Sequence, residues 1–309
     1  MSKKGDLPVN YECIIVGGGI AGLQAAIQLG RYKHKVLVID SNHGRSTLCK
    51  SYHNILGWPN GISGQDLRKI GKMQAEKMGV EFKSDVVDSV EKTEKGFQIM
   101  VKSGFQYVSK RLLLATGVMD RIPAFPEILQ CLGISIYVCP DCDGYEVKNK
   151  RTIVIGAGNV GANMALTLTY WTQDLTYINH EQIEVSEALL NELKVHQIHY
   201  VDESIQKVIA ESSYLQGFIL QSGKKIMGER GFIAFGGNEV RSNLAKQLGV
   251  ELLENQHIVV NPRTKMTNIP NVWAAGDVVA HSEQVTIAMG EGSAAAIWIH
   301  KSLMDERVV

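Results

Sequence analysis

The sequence predicts an α/β chain built of two parallel-sheet units, the second inserted into the first. Three observations carry this: a strand, glycine turn and helix near the start, the same succession near the middle, and a late strand ending in Gly276-Asp277. At 309 residues the chain exceeds what one hydrophobic core usually serves. Its 32 basic and 32 acidic residues cancel, which argues against nucleic acid or a membrane surface as partner. No stretch approaches the ~18 consecutive apolar residues of a membrane span. The first residues, Met-Ser-Lys-Lys-Gly-Asp-Leu-Pro, contain no apolar signal segment. A cytoplasmic protein is therefore expected, and five cysteines, an odd number, fit a reducing compartment.

The first unit opens on the apolar run Cys13 to Val16, followed by Gly17-Gly18-Gly19-Ile20-Ala21-Gly22 and a helix from Leu23. Gly17, Gly19 and Gly22 form G-x-G-x-x-G between strand and helix. That is the setting in which the spacing has a physical meaning: a tight turn, close approach of backbone to a pyrophosphate, and close helix–strand packing. The second strand, Lys35 to Ile39, ends in Asp40, whose carboxylate can accept from ribose hydroxyls. Ser41 to Ser63 is irregular and is expected to pack as a ligand-covering loop, given its aromatic and apolar content. A helix is predicted from Gln65 to Met78, then short antiparallel strands from Glu81 to Val108. A buried strand from Lys110 ends in Ala115-Thr116-Gly117, where small residues permit a ligand to approach.

Val138-Cys139-Pro140-Asp141-Cys142-Asp143-Gly144-Tyr145 stands between the two units. Two thiols at this spacing can close a short disulfide, and one sulfur can hold a pKa below the ~8.5 of free cysteine. Exchange with a partner would pass through a mixed disulfide. Asp143 is placed to move the proton that exchange requires. Zinc is the competing use of such a pair. However, Cys13, Cys49 and Cys131 lack ligand spacing and no His-x-x-x-His follows, so no metal is expected.

The second unit starts with the strand Arg151 to Ile155. Gly156-Ala157-Gly158-Asn159-Val160-Gly161 repeats the fingerprint, and a helix is predicted from Ala162 to Trp171. The strand Leu175 to Ile178 ends in Asn179-His180-Glu181, and no lysine or arginine lies between Arg151 and Lys194. A 2′-phosphate needs such a cation, whereas an acid suits free ribose hydroxyls. Glu181 with Gly156, Gly158 and Gly161 therefore marks a possible NAD(P)H site to which NADPH is not suited. Strands at 197–201, 204–210 and 216–220 follow, then a helix over 243–248 and a strand over 257–260. A strand to Gly276-Asp277 and a helix over 285–300 close the chain. The implied domains are 1–118, 119–242 carrying the cysteine pair, and 243–309 completing the first. Each dinucleotide-binding domain is Rossmann-like, a three-layer ββα sandwich.

The order of these motifs closely resembles the low-molecular-weight thioredoxin reductases over nearly the whole chain. The resemblance implies FAD in the divided domain, with Gly17, Gly19 and Gly22 at its pyrophosphate and Asp40 at the adenosine ribose. Thr116, Gly117 and Gly276 would border it, Asp277 would lie at the ribityl–phosphate region, and Gln284 and Val285 near the flavin. It further implies that Cys142 faces the flavin, that Cys139 attacks the partner disulfide and that Asp143 is the acid. The family is homodimeric and acts on a thioredoxin-like protein. Three departures stand out: Gly161 where the family usually has alanine, Asn179-His180-Glu181 in place of His-Arg-Arg, and Glu283 in place of an arginine. The stretch with Gly44-Arg45 and His53-Asn54-Ile55-Leu56-Gly57 looks more like oxidases of small dithiols and relatives with donors other than NADPH, such as ferredoxin. On the absence of a nearby basic residue, NADH is expected to serve at least as well as NADPH.

Overall fold

The structure is a computed structural model that describes residues 10–305. The chain forms two compact units. One comprises the described residues up to Thr47, Gln65–Met119 and those from Val240; the other comprises Leu48–Gly64 and Asp120–Glu239.

In the first unit the strand Asn10–Val16 lies parallel between Val36–Asp40 and Gln106–Leu114. Its residues alternate between two buried faces: Cys13 and Ile15 join Ala25, Leu29, Trp273 and Ile299, while Ile14 joins Phe97, Ile99 and Leu112. A strand buried on both sides must be apolar throughout, which is why Cys13 to Val16 reads as an unbroken apolar run. Val272–Ala274 pairs parallel with the end of Gln106–Leu114, so the late strand completes the first sheet. The helices Ile20–Arg31 and Val285–Asp305 cross closely, since a Cβ on Gly292 would lie 2.2 Å from the Ala21 carbonyl oxygen.

Several sequence expectations are corrected here. Glu81–Ser84 is not part of an antiparallel insertion but pairs parallel with Val36–Asp40. It follows the helix Gly64–Lys77, and a strand–helix–strand crossover returns parallel. The strand expected from Lys110 begins at Gln106, because Gly96–Val101 pairs antiparallel with its first half. At 257–260 there is no strand, only bridges from Ile258 to Leu252 and Val279. The Ser41 to Ser63 segment contains a helical turn, Arg45–Leu48, and its tip is not packed: Leu56 is 97% exposed where Gly57, at φ +94°, reverses the chain. From Leu48 to Gly64 this segment groups with the second unit.

The second unit holds a five-stranded parallel sheet in the order His199–Val201, Leu175–Asn179, Thr152–Gly156, Arg230–Ala234, Ile136–Tyr137. A three-stranded antiparallel sheet, Ile205–Glu211, Tyr214–Leu220 and Lys225–Met227, packs beside it through Val208, Leu215, Phe218 and Ile226. The helix after the second glycine turn runs from Gly158 to Leu168, earlier than expected. Helical geometry starts within the fingerprint itself, and Trp171 lies beyond the helix end.

Candidate active site

The first glycine turn is shaped for close contact. Gly17 has φ +105°, and a Cβ there would stand 2.2 Å from the Ala115 carbonyl oxygen, so the turn leans on Ala115-Thr116-Gly117. A Cβ on Gly22 would meet the Gly17 carbonyl oxygen at 1.9 Å, while one on Gly19 would meet nothing within 4 Å. Gly17 and Gly22 therefore close the turn against the protein, and Gly19 leaves its outer side open. This is the cradle a pyrophosphate needs. Thr116 donates its hydroxyl to the Arg241 carbonyl oxygen at 2.6 Å and so fixes that rim.

Asp40 stands against Gly18 and accepts from Arg68 Nη2 at 2.6 Å; Arg68 Nη1 donates to the Gly18 carbonyl oxygen at 2.9 Å. Arg68 thus orients the carboxylate and ties it to the turn. Sequence reasoning missed it, since nothing in the periodicity of its helix distinguishes it from other exposed cations. Gly276 has φ +81°, and its N–H donates to buried Glu291, which also accepts from Lys265 at 2.7 Å and is hydrogen-bonded to His281 at 2.6 Å. These partners hold the Glu291 carboxyl below its ordinary range against the opposing effect of burial. Glu291 is the foundation of the Gly276-Asp277 turn.

Asp277 accepts from Arg45 Nη1 at 2.9 Å, and the same nitrogen donates to Glu283 at 2.6 Å. Burial raises the Asp277 carboxyl despite this arginine, with Glu283 adding to the rise. Arg45 thus serves two carboxylates at once, Asp277 and Glu283. Gln284 accepts from the Ala288 N–H at 2.9 Å, and Val285 opens the last helix. The open cradle, the Asp40 carboxylate beside it and the Asp277 turn fit FAD within the first unit.

In the second unit Cys139 and Cys142 are joined in a disulfide with their Cα atoms 5.3 Å apart. Cys139 precedes a helical turn whose first residue is Pro140, and its carbonyl oxygen accepts from Cys142 N–H and Asp143 N–H at 3.2 and 3.0 Å. Proline suits this position because its missing N–H would have had no helical partner. Gly144 is required by packing: a Cβ there would lie 2.6 Å from the Trp171 ring. Burial, with Glu146 adding to it, pushes Asp143 from 3.8 up to about 7, so it holds a proton near neutrality. Burial also pushes the Cys49 thiol up to about 12, and the charge of Asp143 contributes. Cys49 therefore shares this unit with the pair but stays protonated and unreactive at neutral pH.

The second glycine turn differs from the first. Gly156 lies opposite Asn179 across the parallel strands, in the register at which Gly17 faces the end of Val36–Asp40. Asn179, rather than Glu181, is thus the positional counterpart of Asp40. It is buried and internally satisfied: its Oδ1 accepts from Gly158 N–H at 2.9 Å, and its Nδ2 donates to Ile183 O and Asp202 Oδ1, each at 2.8 Å. Gly161 has a physical reason. A Cβ there would stand 2.3 Å from the ring of Tyr177, whose hydroxyl donates to Gly158 O at 2.7 Å. The expectation that no basic residue lies near Glu181 is wrong. Arg121, far away in sequence, donates from Nη2 to Glu181 Oε1 at 2.5 Å.

A family model described as pyridine nucleotide-disulphide oxidoreductase matches residues 11–292. Thioredoxin reductase of Rickettsia felis is 25% identical over 315 residues, covering 96% of this chain and 99% of that protein. Among solved structures, TrxB of Bacillus anthracis, a candidate thioredoxin reductase, is 30% identical with a TM-score of 0.83, covering 96% of this chain and 99% of the other. HlmI is 27% identical with a TM-score of 0.86, covering 98% and 96%. With that match spanning most of its length and both glycine turns and the cysteine pair in order, this chain belongs to the pyridine nucleotide-disulphide oxidoreductase family, in its thioredoxin-reductase-like branch.

Proposed function

We propose that the protein is an FAD-dependent dithiol–disulfide oxidoreductase in which Cys139 and Cys142 are the redox pair and Asp143 is the acid. The observation that carries this reading is the Cys139–Cys142 disulfide followed directly by a half-buried carboxyl that holds a proton near pH 7. Gly17, Gly19, Gly22, Asp40, Thr116, Gly117, Gly276, Asp277, Gln284 and Val285 would hold FAD, which supplies two-electron chemistry when bound. In the reduced pair, Cys139 thiolate attacks a partner disulfide: a Cys139–partner S–S bond forms, the partner's bond breaks, and the departing thiolate takes a proton from Asp143. Cys142 thiolate then attacks Cys139 Sγ, which restores the Cys139–Cys142 bond and releases the second partner thiolate. The partner disulfide is reduced by two electrons and the pair is oxidised by two.

The partner is a thioredoxin-like protein or a small dithiol, the former supported by the name of the Rickettsia felis relative, thioredoxin reductase. Gly156, Gly158 and Gly161 would take the nicotinamide donor. Glu181 engages Arg121, the cation a 2′-phosphate would need, which disfavours NADPH and leaves NADH, ferredoxin or, with the flow reversed, a dithiol oxidised by oxygen. We further propose a homodimer in the cytoplasm; no helix among the described residues is long and apolar enough to cross a membrane. The test is disulfide turnover by flavin-loaded protein. Cys139→Ser should abolish it, and unchanged turnover would sink the assignment.

A further inference from the structure

Arg121 reaches the segment that follows Leu175–Asn179 from outside the nucleotide-binding sequence pattern. Its guanidinium lies over the Phe235 ring at 5.7 Å from the centroid and donates to Glu181, two residues beyond the end of Leu175–Asn179. Both side chains keep contact with solvent, so the pair can open. His180 is held beside it between Phe125 and Phe235, with ring centroids 5.8 and 5.9 Å away, and its Nδ1 accepts from Ile205 N–H at 2.8 Å. With that nitrogen an acceptor, and with burial lowering its pKa, His180 supplies no positive charge near neutrality. No lysine or arginine lies between Arg151 and Lys194. Arg121 is thus a cation brought to this end of the strand from outside that interval, and a carboxylate of the same chain already takes it.

We propose that Glu181 is the specificity-determining residue of the second nucleotide site: it stands in for a 2′-phosphate on Arg121, and so excludes 2′-phosphorylated adenine nucleotides while admitting those with a free 2′-hydroxyl. A 2′-phosphate approaching Arg121 must displace Glu181 and then remain beside its negative charge. A free ribose needs only a hydrogen bond to the carboxylate, whose second oxygen can accept while the first keeps the arginine. In the first case one ion pair is exchanged for another and like-charge repulsion is added; in the second neither happens. Asn179 cannot take over the ribose, because its buried amide is committed to Gly158, Ile183 and Asp202.

This inference rests on the proposed reading of the second fingerprint as a nucleotide site, and the experiment separates the two. Calorimetric binding of 5′-ADP and of 2′,5′-ADP is measured on the flavin-loaded protein, on Glu181→Gln and on Glu181→Gln/Arg121→Gln. Wild type should bind 5′-ADP at least as tightly as 2′,5′-ADP. Glu181→Gln should tighten 2′,5′-ADP by roughly tenfold or more, the scale of one charge-assisted contact, and should not tighten 5′-ADP, whose ribose loses its carboxylate acceptor. The double variant should lose that gain. A wild-type preference for 2′,5′-ADP, or a Glu181→Gln variant with no gain, overturns the specificity role and leaves the nucleotide site standing. Binding of neither nucleotide to any form overturns both.

Discussion

Replacing Asp143 with asparagine keeps the size of the side chain and removes its titration. Burial, with Glu146 adding to it, moves this carboxyl from 3.8 to about 7. The unfolded chain releases the proton near 3.8, whereas the folded chain keeps it until about 7, so folding binds a proton across that window. The group's folded pKa is raised, so its favourable contribution is complete below the unfolded value and is lost as pH rises through the folded one. A shift of about three pKa units corresponds to at most about 4 kcal/mol, and water reaching a half-buried group reduces it. Equilibrium urea unfolding at pH 5 and pH 8 should therefore show Asp143→Asn gaining on wild type as pH rises, by at most about 3 kcal/mol, because only the two units between pH 5 and about 7 fall between the measurements. In the same variant, disulfide turnover at neutral pH should fall by about 10²- to 10⁴-fold, the usual contribution of a positioned acid. Turnover within about threefold of wild type at both pH values would refute the acid role. A stability difference that does not change with pH would refute the raised carboxyl.

The remaining predictions concern the two glycine turns. Gly161→Ala brings a Cβ to 2.3 Å from the Tyr177 ring and should destabilise the protein by about 1–3 kcal/mol. A double-mutant cycle with Tyr177→Leu should show strong coupling in thermal unfolding, and simple additivity would contradict the packing argument. Arg68→Ala frees Asp40 from its orienting cation and should weaken FAD retention by roughly tenfold, read as flavin lost on gel filtration. Retention equal to wild type would show that Asp40 needs no such support.

What could be read from the sequence, and what could not, follows from how far each cause reaches along the chain. Gly17, Gly22 and Gly161 are legible because backbone crowding acts within a turn or one strand away, and a missing Cβ leaves a mark on local spacing. The late strand that completes the first sheet is legible because its apolar run ends in Gly276-Asp277, whereas the parallel pairing of Glu81–Ser84 is not, since a short half-exposed strand carries no mark of its partner. Arg68, Arg45 and Arg121 are another matter. Each pairs with a carboxylate 28, 232 or 60 residues away, and a side-chain pairing at such distance leaves no periodic trace. The absence of a cation between Arg151 and Lys194 was legible in the sequence; its supply by Arg121 from outside that interval was not. Asn179 was passed over for Glu181 for a related reason. Counting to the next acid ignores the strand register, and the register places Asn179 opposite Gly156.

The central claim is that Cys139 and Cys142 carry electrons between bound flavin and an external thiol. Its most direct test is an anaerobic titration of the flavin-loaded protein with a dithiol, following flavin absorbance in wild type, Cys139→Ser and Cys142→Ser. Wild type should bleach with one dithiol per two electrons taken up by pair and flavin together, and both serine variants should bleach far more slowly. Equal bleaching in all three would show that the pair is bypassed and contradict the account.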